Sequence, residues 1–181
     1  MTAKNSQSEP QIETLISRMA DELRNRFDGA GSSAVKNAKI EDAVMVGIHT
    51  GGVWVAEKLH AQLGITQSLS KLDISFYRDD FSRIGMNPQV KPSQLPTSVD
   101  DNHIILVDDV LHTGRTIRAA LNEIFDYGRP ASVTLVVLGE RSGRELPIQA
   151  DIVGQHISLT EHEHVKLTGP DPLRLEVVES P

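Results

Sequence analysis

Residues 104 to 116 read IILVDDVLHTGRT. Four aliphatic side chains in a row end in two adjacent aspartates, and a Thr-Gly-Arg-Thr turn follows almost at once. A run that is apolar throughout suits a strand covered on both faces. Two carboxylates at the end of such a strand are costly unless something binds them. The neighbouring hydroxyls of a ribose, or a magnesium ion, would do so. The turn offers the opposite chemistry. Gly114 lets backbone N–H groups approach an anion, and a helix opening near Arg115 and Thr116 aims its positive end at the same place. Thr113 and Thr116 add hydroxyl donors. Carboxylates for a sugar and a nest for its phosphate, side by side, describe a site for ribose 5-phosphate.

Other readings of the paired aspartates ask for partners. A Walker-B strand needs a GxxxxGK[ST] loop, which the chain lacks. A response-regulator acid pocket needs a separate phosphoacceptor aspartate and a later strand-end lysine, yet residues 133 to 138 run into Gly139 and Glu140. The bland alternative is a surface turn with solvated charges.

Working outward, helical spacing of Ile12, Leu15, Ile16, Met19, Leu23 and Phe27 predicts a first helix after a polar, disordered lead over residues 1–10. Residues 43–48 form a short apolar run that reads as a buried strand, Gly51 and Gly52 follow it, and residues 53–63 resume a helical pattern. Residues 72–76 alternate, as a strand with one wet face would. Residues 78–99 hold three prolines and no period, which predicts a long mobile loop. Residues 116–127 read as a helix and 133–138 as another buried strand. Weak strands near 151–153 and 173–178 complete a small C-terminal portion over residues 139–181. This order predicts an α/β fold, a mainly parallel twisted sheet with helices on both faces, in one domain over residues 1–181. Ligands of such sheets lie beyond the carboxyl ends of the strands, where Asp108 and Asp109 emerge.

Composition agrees. The chain has 181 residues, no cysteine, and a net charge of −7. Disulfides and thiolate metal sites are excluded. The charge speaks against a generally basic nucleic-acid binder. No apolar run approaches the roughly 18 residues that span a bilayer, and the N-terminus lacks the apolar core of a signal peptide. The plain expectation is a cytoplasmic enzyme of small molecules.

The thirteen-residue stretch resembles the phosphoribosyl-pyrophosphate (PRPP) signature of type I phosphoribosyltransferases. VGIHTGGVWVAEKL, LDISFYRDDFSRIG, RTIRAALNEIFDYGRPASVTLVVL and ERSGRELPIQADIVG resemble successive blocks of the PyrR family, pyrimidine-operon regulators with uracil phosphoribosyltransferase activity. The blocks cover roughly residues 44–154, and RELPI-x-AD points to this branch. The resemblance implies transfer of ribose 5-phosphate from PRPP to uracil, giving UMP and pyrophosphate, with Mg2+ as cofactor. It places Asp108 and Asp109 on the ribose hydroxyls, and on the metal through water and substrate. The run Val110, Leu111, His112, Thr113, Gly114, Arg115 and Thr116 would hold PRPP and its 5′-phosphate. His49, Thr50, Gly51 and Gly52 would form the pyrophosphate loop, where relatives can carry a non-proline cis peptide; taken alone, the glycines also suit a tight strand-to-helix turn. Residues 78–99 would be the active-site flap, with Arg78 meeting the pyrophosphate as a catalytic residue beside Asp108 and Asp109. Asp79 and Asp80 would orient it or stay solvated. Glu140 and Arg141 would bind the base, Arg141 stacking on the pyrimidine, in a hood over residues 139–181.

The chain departs from the family at several places. The pyrophosphate loop commonly reads Lys-Thr-Arg-Gly, so two fixed positive charges are missing here and weaker catalysis is expected. His112 stands where many relatives have Tyr. The family's second role, sensing UMP or PRPP while binding a leader RNA, needs a basic face. Arg18, Arg24 and Arg26 do not share one side of a helix, and Asp21 and Gln149 stand where relatives place groups facing RNA. The resemblance also implies a homodimer or higher assembly. Outside the match, Glu161-His-Glu-His164 sets two histidines on one strand face as a candidate zinc site, with no third ligand evident nearby.

Overall fold

The computed structural model describes residues 5–29, 35, 38–74, 94–96, 98–160 and 162–179. The chain opens with β1 (Asn5–Gln7) and α1 (Glu9–Phe27), then β2 (Val44–Ile48), α2 (Gly51–Leu63) and β3 (Ser70–Leu72). After these come β4 (His103–Leu111), α3 (Arg115–Asp126), β5 (Ser132–Arg141), β6 (Ile152–Ile157), β7 (Glu163–Thr168) and β8 (Arg174–Glu179). Among the described residues, five strands form a sheet in the order β3-β2-β4-β5-β6. Every pairing in it is parallel.

The apolar runs divide between the two faces with the period of two that a strand imposes. Met45, Ile105, Val107, Val136 and Leu138 join the core under α1 and α2. Val44, Val46, Ile104, Leu106, Leu135 and Val137 join the core under α3. Because both faces are covered, Ile104 to Val107 are buried at every position. Each such side chain contributes about 1.5–3 kcal/mol relative to exposure. α1 buries Ile12, Ile16, Met19, Leu23 and Phe27, and its start is held by the Ser8 N–H donating to the Gln11 side chain at 2.8 Å.

Several boundaries differ from the sequence expectation. Residues 5–7, assigned to a disordered lead, pair antiparallel with β8. β8 also pairs with β7, of which the sequence reading had only a strand at 161–164, giving a second sheet of order β1-β8-β7. Leu167, Leu173 and Leu175 of this C-terminal portion belong to the same core as α1. The strand expected at 72–76 lies earlier, at Ser70–Leu72, and Asp73 and Ile74 are both buried rather than alternating. Arg78 and most of the expected flap over 78–99 lie outside the described residues.

The change that matters most is at β4. The strand does not stop at Val107 but runs on to Leu111. Its ladder with β2 ends at the Gly47–Val107 pair, while its ladder with β5 continues through Asp108–Val137, Val110–Gly139 and Leu111–Glu140. The aspartates therefore lie on an extended strand that has lost one neighbour. The start of α2 occupies the vacated side.

Candidate active site

Gly51 and Gly52, expected as a loop, form the first turn of α2. Their lack of side chains is what allows this placement. A Cβ on Gly52 would lie 2.6 Å from the Val107 carbonyl oxygen and 2.9 Å from the Asp108 Cα. One on Gly51 would lie 2.2 Å from Asp109 Oδ2. The peptide between His49 and Thr50 is cis. Gly51 and Gly52, two of the four residues assigned to pyrophosphate, thus press directly against the acid pair.

Asp108 is only 3% exposed. Its Oδ1 accepts the Asp109 N–H at 3.0 Å, and Asp109 Oδ1 accepts the Val110 N–H at 2.9 Å. Beyond them opens a cleft of about 430 Å³, lined by the whole run 108–117 together with Arg141 and Val165. The structure brings the acid pair, the Thr-Gly-Arg-Thr turn and Arg141 to one place. Val165, on β7, gave no signal in the sequence.

Gly114 sits at φ +93° and caps the start of α3. Only a residue without Cβ takes that left-handed conformation freely. The turn is pinned from outside. The N–H groups of Glu145 and Leu146 both donate to the Thr113 carbonyl, at 3.0 and 3.1 Å. Arg115 donates through Nε and Nη2 to Glu145 Oε2 at 2.9 and 2.7 Å. Leu146 and Ile148 side chains close over Gly114. RELPI, the segment most specific to the resemblance, is therefore the clamp on the proposed phosphate turn. The sequence reading missed Glu145 because the clamp acts largely through backbone groups.

The two residues proposed for the base differ. Glu140 is engaged by Arg144 and, at 3.1 Å, by His156 Nδ1. Arg141 lines the cleft, and its buried Nε has no hydrogen-bond partner among the described residues. His112, assigned to the phosphate nest, turns its ring to the hood. A Cβ on Gly143 would stand 2.8 Å from His112 Nε2. Burial, then the nearby Arg141 and Arg144 charges, lower the imidazole pKa, against an opposing pull from Glu145.

Two other expectations change. Glu161 lies outside the described residues, and His162 precedes β7, so His162 and His164 do not share a strand. On α1, Arg18 donates to the Val153 and Gly154 carbonyls, and Arg26 pairs with Asp151 at 2.7 Å. Asp21 pairs with Arg24 at 2.8 Å.

The phosphoribosyl transferase domain model matches residues 5–169. The Bifunctional protein PyrR of Nitrosococcus oceani is 63% identical over 157 residues, covering 86% of this chain and 88% of that protein. The protein of the same name from Pseudomonas aeruginosa is 56% identical, covering 92% and 94%. The chain belongs to the PyrR family of phosphoribosyltransferases. Membership extends well beyond residues 44–154 and takes in α1 and β7. A hypoxanthine phosphoribosyltransferase of Trypanosoma cruzi shares the fold, with a TM-score of 0.66 at 23% identity over 89% of this chain and 81% of that one. One from Staphylococcus aureus gives 0.64 at 20% identity, covering 86% and 78%. The domain implies PRPP and a nucleobase or nucleotide as substrates.

Proposed function

We propose that the chain is a uracil phosphoribosyltransferase working at the carboxyl end of β4. The observation that carries this reading is the cleft in which the acid pair, the pinned turn and Arg141 meet. Asp108 and Asp109 accept the ribose hydroxyls, and the N–H groups and hydroxyls of the run 112–116 hold the 5′-phosphate. Arg141 faces the pyrimidine. As the bond from C1′ to pyrophosphate breaks, positive charge grows on the ribose, and the neighbouring carboxylates stabilise it. Arg78 would meet the departing pyrophosphate.

Phosphoribosyltransferases generally take PRPP with Mg2+. Among the described residues no group of three His, Cys, Asp or Glu could hold a metal by itself. Two adjacent carboxylates do suit a magnesium ion that keeps its waters and substrate phosphates as its other ligands. Asp108 and Asp109 would receive it, and it would neutralise charge on pyrophosphate. No helix among the described residues is long and apolar enough to cross a membrane. A cytoplasmic setting and a homodimer or larger assembly complete the proposal.

A second role, in regulating pyrimidine genes through RNA, is favoured by the relatives named bifunctional. In this chain it meets a face whose arginines Arg18 and Arg26 are engaged by β6 and Asp151, with an acidic Asp21 between them. Such a face adds few phosphate contacts, so RNA binding should be weak and salt-sensitive. The test of the main reading is pyrophosphate release from PRPP with uracil, hypoxanthine, guanine and orotate. Uracil is expected to be the substrate; release with a purine alone would overturn the assignment of the base.

A further inference from the structure

Ten of the twelve residues that line the cleft are the continuous run 108–117, and the other two, Arg141 and Val165, come from β5 and β7. The run is given to the sugar and its phosphate, so these two flank the space left for the base. Arg141 belongs to the five-stranded sheet, whereas Val165 does not. β7 is the outer strand of the sheet β1-β8-β7, and among the described residues no ladder joins that sheet to the other. Side-chain packing, rather than a backbone ladder, therefore sets where Val165 stands.

The packing differs along the β7–β8 hairpin. Leu167, Leu173 and Leu175 enter the core shared with α1 and α2, and bury the hairpin as a whole. At its turn the contact is more specific. Gly169 lies over the ring of Trp54: a Cβ there would stand 3.2 Å from Trp54 Cε3 and 2.5 Å from Leu173 Cδ2. Trp54 belongs to the first turn of α2, beside the Gly51 and Gly52 that lie against Asp109 and Asp108. One short stretch of helix thus touches both sides of the site, the acid pair through its glycines and the hairpin turn through its tryptophan. β7 and β8 pair from Thr168–Arg174 to Glu163–Glu179. A tilt at the turn is therefore carried along the strand to Val165, about 13 Å away.

From this arrangement we propose that Trp54 is a positioning residue for the base. Its ring docks the β7–β8 turn and so keeps Val165 against the cleft, fixed relative to the carboxylates that take the ribose. This rests on the reading of the cleft as a uracil phosphoribosyltransferase site. Trp54 is not among the residues that line the cleft, so it acts on how well the base is held rather than on the chemical step. A wall that backs away loses an apolar contact to the pyrimidine that is made equally before and during bond formation. Such a loss raises KM and leaves kcat in place.

The experiment measures steady-state UMP formation by the full chain and by Trp54→Ala, Trp54→Phe and Gly169→Ala. The first removes the dock, and the last pries the turn off an intact ring, so the test stands even if Trp54→Ala lowers stability. In both alanine variants the KM for uracil should rise about tenfold, the scale of one lost apolar contact in a pocket. Their kcat should change little, and their calorimetric affinity for PRPP should stay constant. Trp54→Phe keeps a ring under Gly169 and should recover most of the affinity for uracil. Trp54 is the single tryptophan, so its emission should move to longer wavelength in Gly169→Ala as the ring gains water. A uracil KM unchanged in both alanine variants, or PRPP affinity that falls in step with it, overturns the role of Trp54 while leaving the transferase reading intact. A wild-type chain that makes no UMP from uracil overturns both.

Discussion

The ends of β2 and β4 lie side by side in the sheet and carry unlike chemistry. β4 runs on beyond its partner and presents two carboxylates, a left-handed glycine and a turn held by RELPI. β2 stops at Ile48 and hands over to His49-Thr50-Gly51-Gly52, with no fixed charge. The half proposed to take ribose and its phosphate therefore has both carboxylates and a pinned turn. The end of β2 proposed for pyrophosphate brings no fixed charge of its own, and its two glycines lie against the acid pair. A chain built this way should hold the nucleotide better than it expels pyrophosphate.

The largest expected effect falls where the two ends touch. Gly52→Ala drives a methyl into the backbone of Val107 and Asp108, which a packed interior resists. A loss of about 1–3 kcal/mol in chemical denaturation is expected. Gly114→Ala should cost about 1–2 kcal/mol for another reason, the left-handed backbone at φ +93°. Its new methyl meets only ordinary contacts with Leu146 and Ile148. Equal and negligible losses at both positions would remove the contrast between a crowded end and a strained one.

These two glycines show what could be read in advance. The signature 104–116 could be read because its chemistry is local: an apolar run, two acids and a turn residue stand next to one another. Helix α3 and strand β5 follow from equally plain patterns. Gly52 stands fifty-six residues from Asp108, and nothing in the sequence says that the start of α2 lies against β4. Glycines are poor helix formers, so a helix beginning on two of them reads as a loop. The extent of β7 beyond the strand read at 161–164 escaped notice because EHVKLT mixes charged and apolar residues, and β1 because three polar residues carry no pattern until β8 pairs with them. Residues 104–107 correctly gave a strand, but its continuation through Asp108 depends on the ladder with β5.

Smaller effects sharpen the comparison. The Arg115–Glu145 pair is half exposed on both sides, so its loss should leave stability within about 1 kcal/mol. Glu145→Gln removes the carboxylate that pairs with Arg115 and that repels a phosphate in the turn. UMP affinity should rise up to about fivefold at low salt, and the gain should shrink as salt increases. Unchanged affinity at every salt concentration would detach Arg115 from the phosphate. His49→Lys adds one cation to the bare end of β2. Affinity for pyrophosphate should rise by a few fold, within the roughly 1 kcal/mol available to an exposed charge pair, while UMP affinity stays constant. A gain for UMP instead would mean that β2 serves the nucleotide phosphate.

The most direct test is calorimetric titration of PRPP into the chain carrying Asp108→Asn with Asp109→Asn. Charged hydrogen bonds contribute about 1.5–3 kcal/mol each, so affinity should fall roughly 100-fold or more. The melting temperature should hold or rise, because Asp108 is 3% exposed and its charge is costly to bury without a ligand. Unchanged affinity for PRPP in the double variant would contradict the assignment of the ribose to the end of β4.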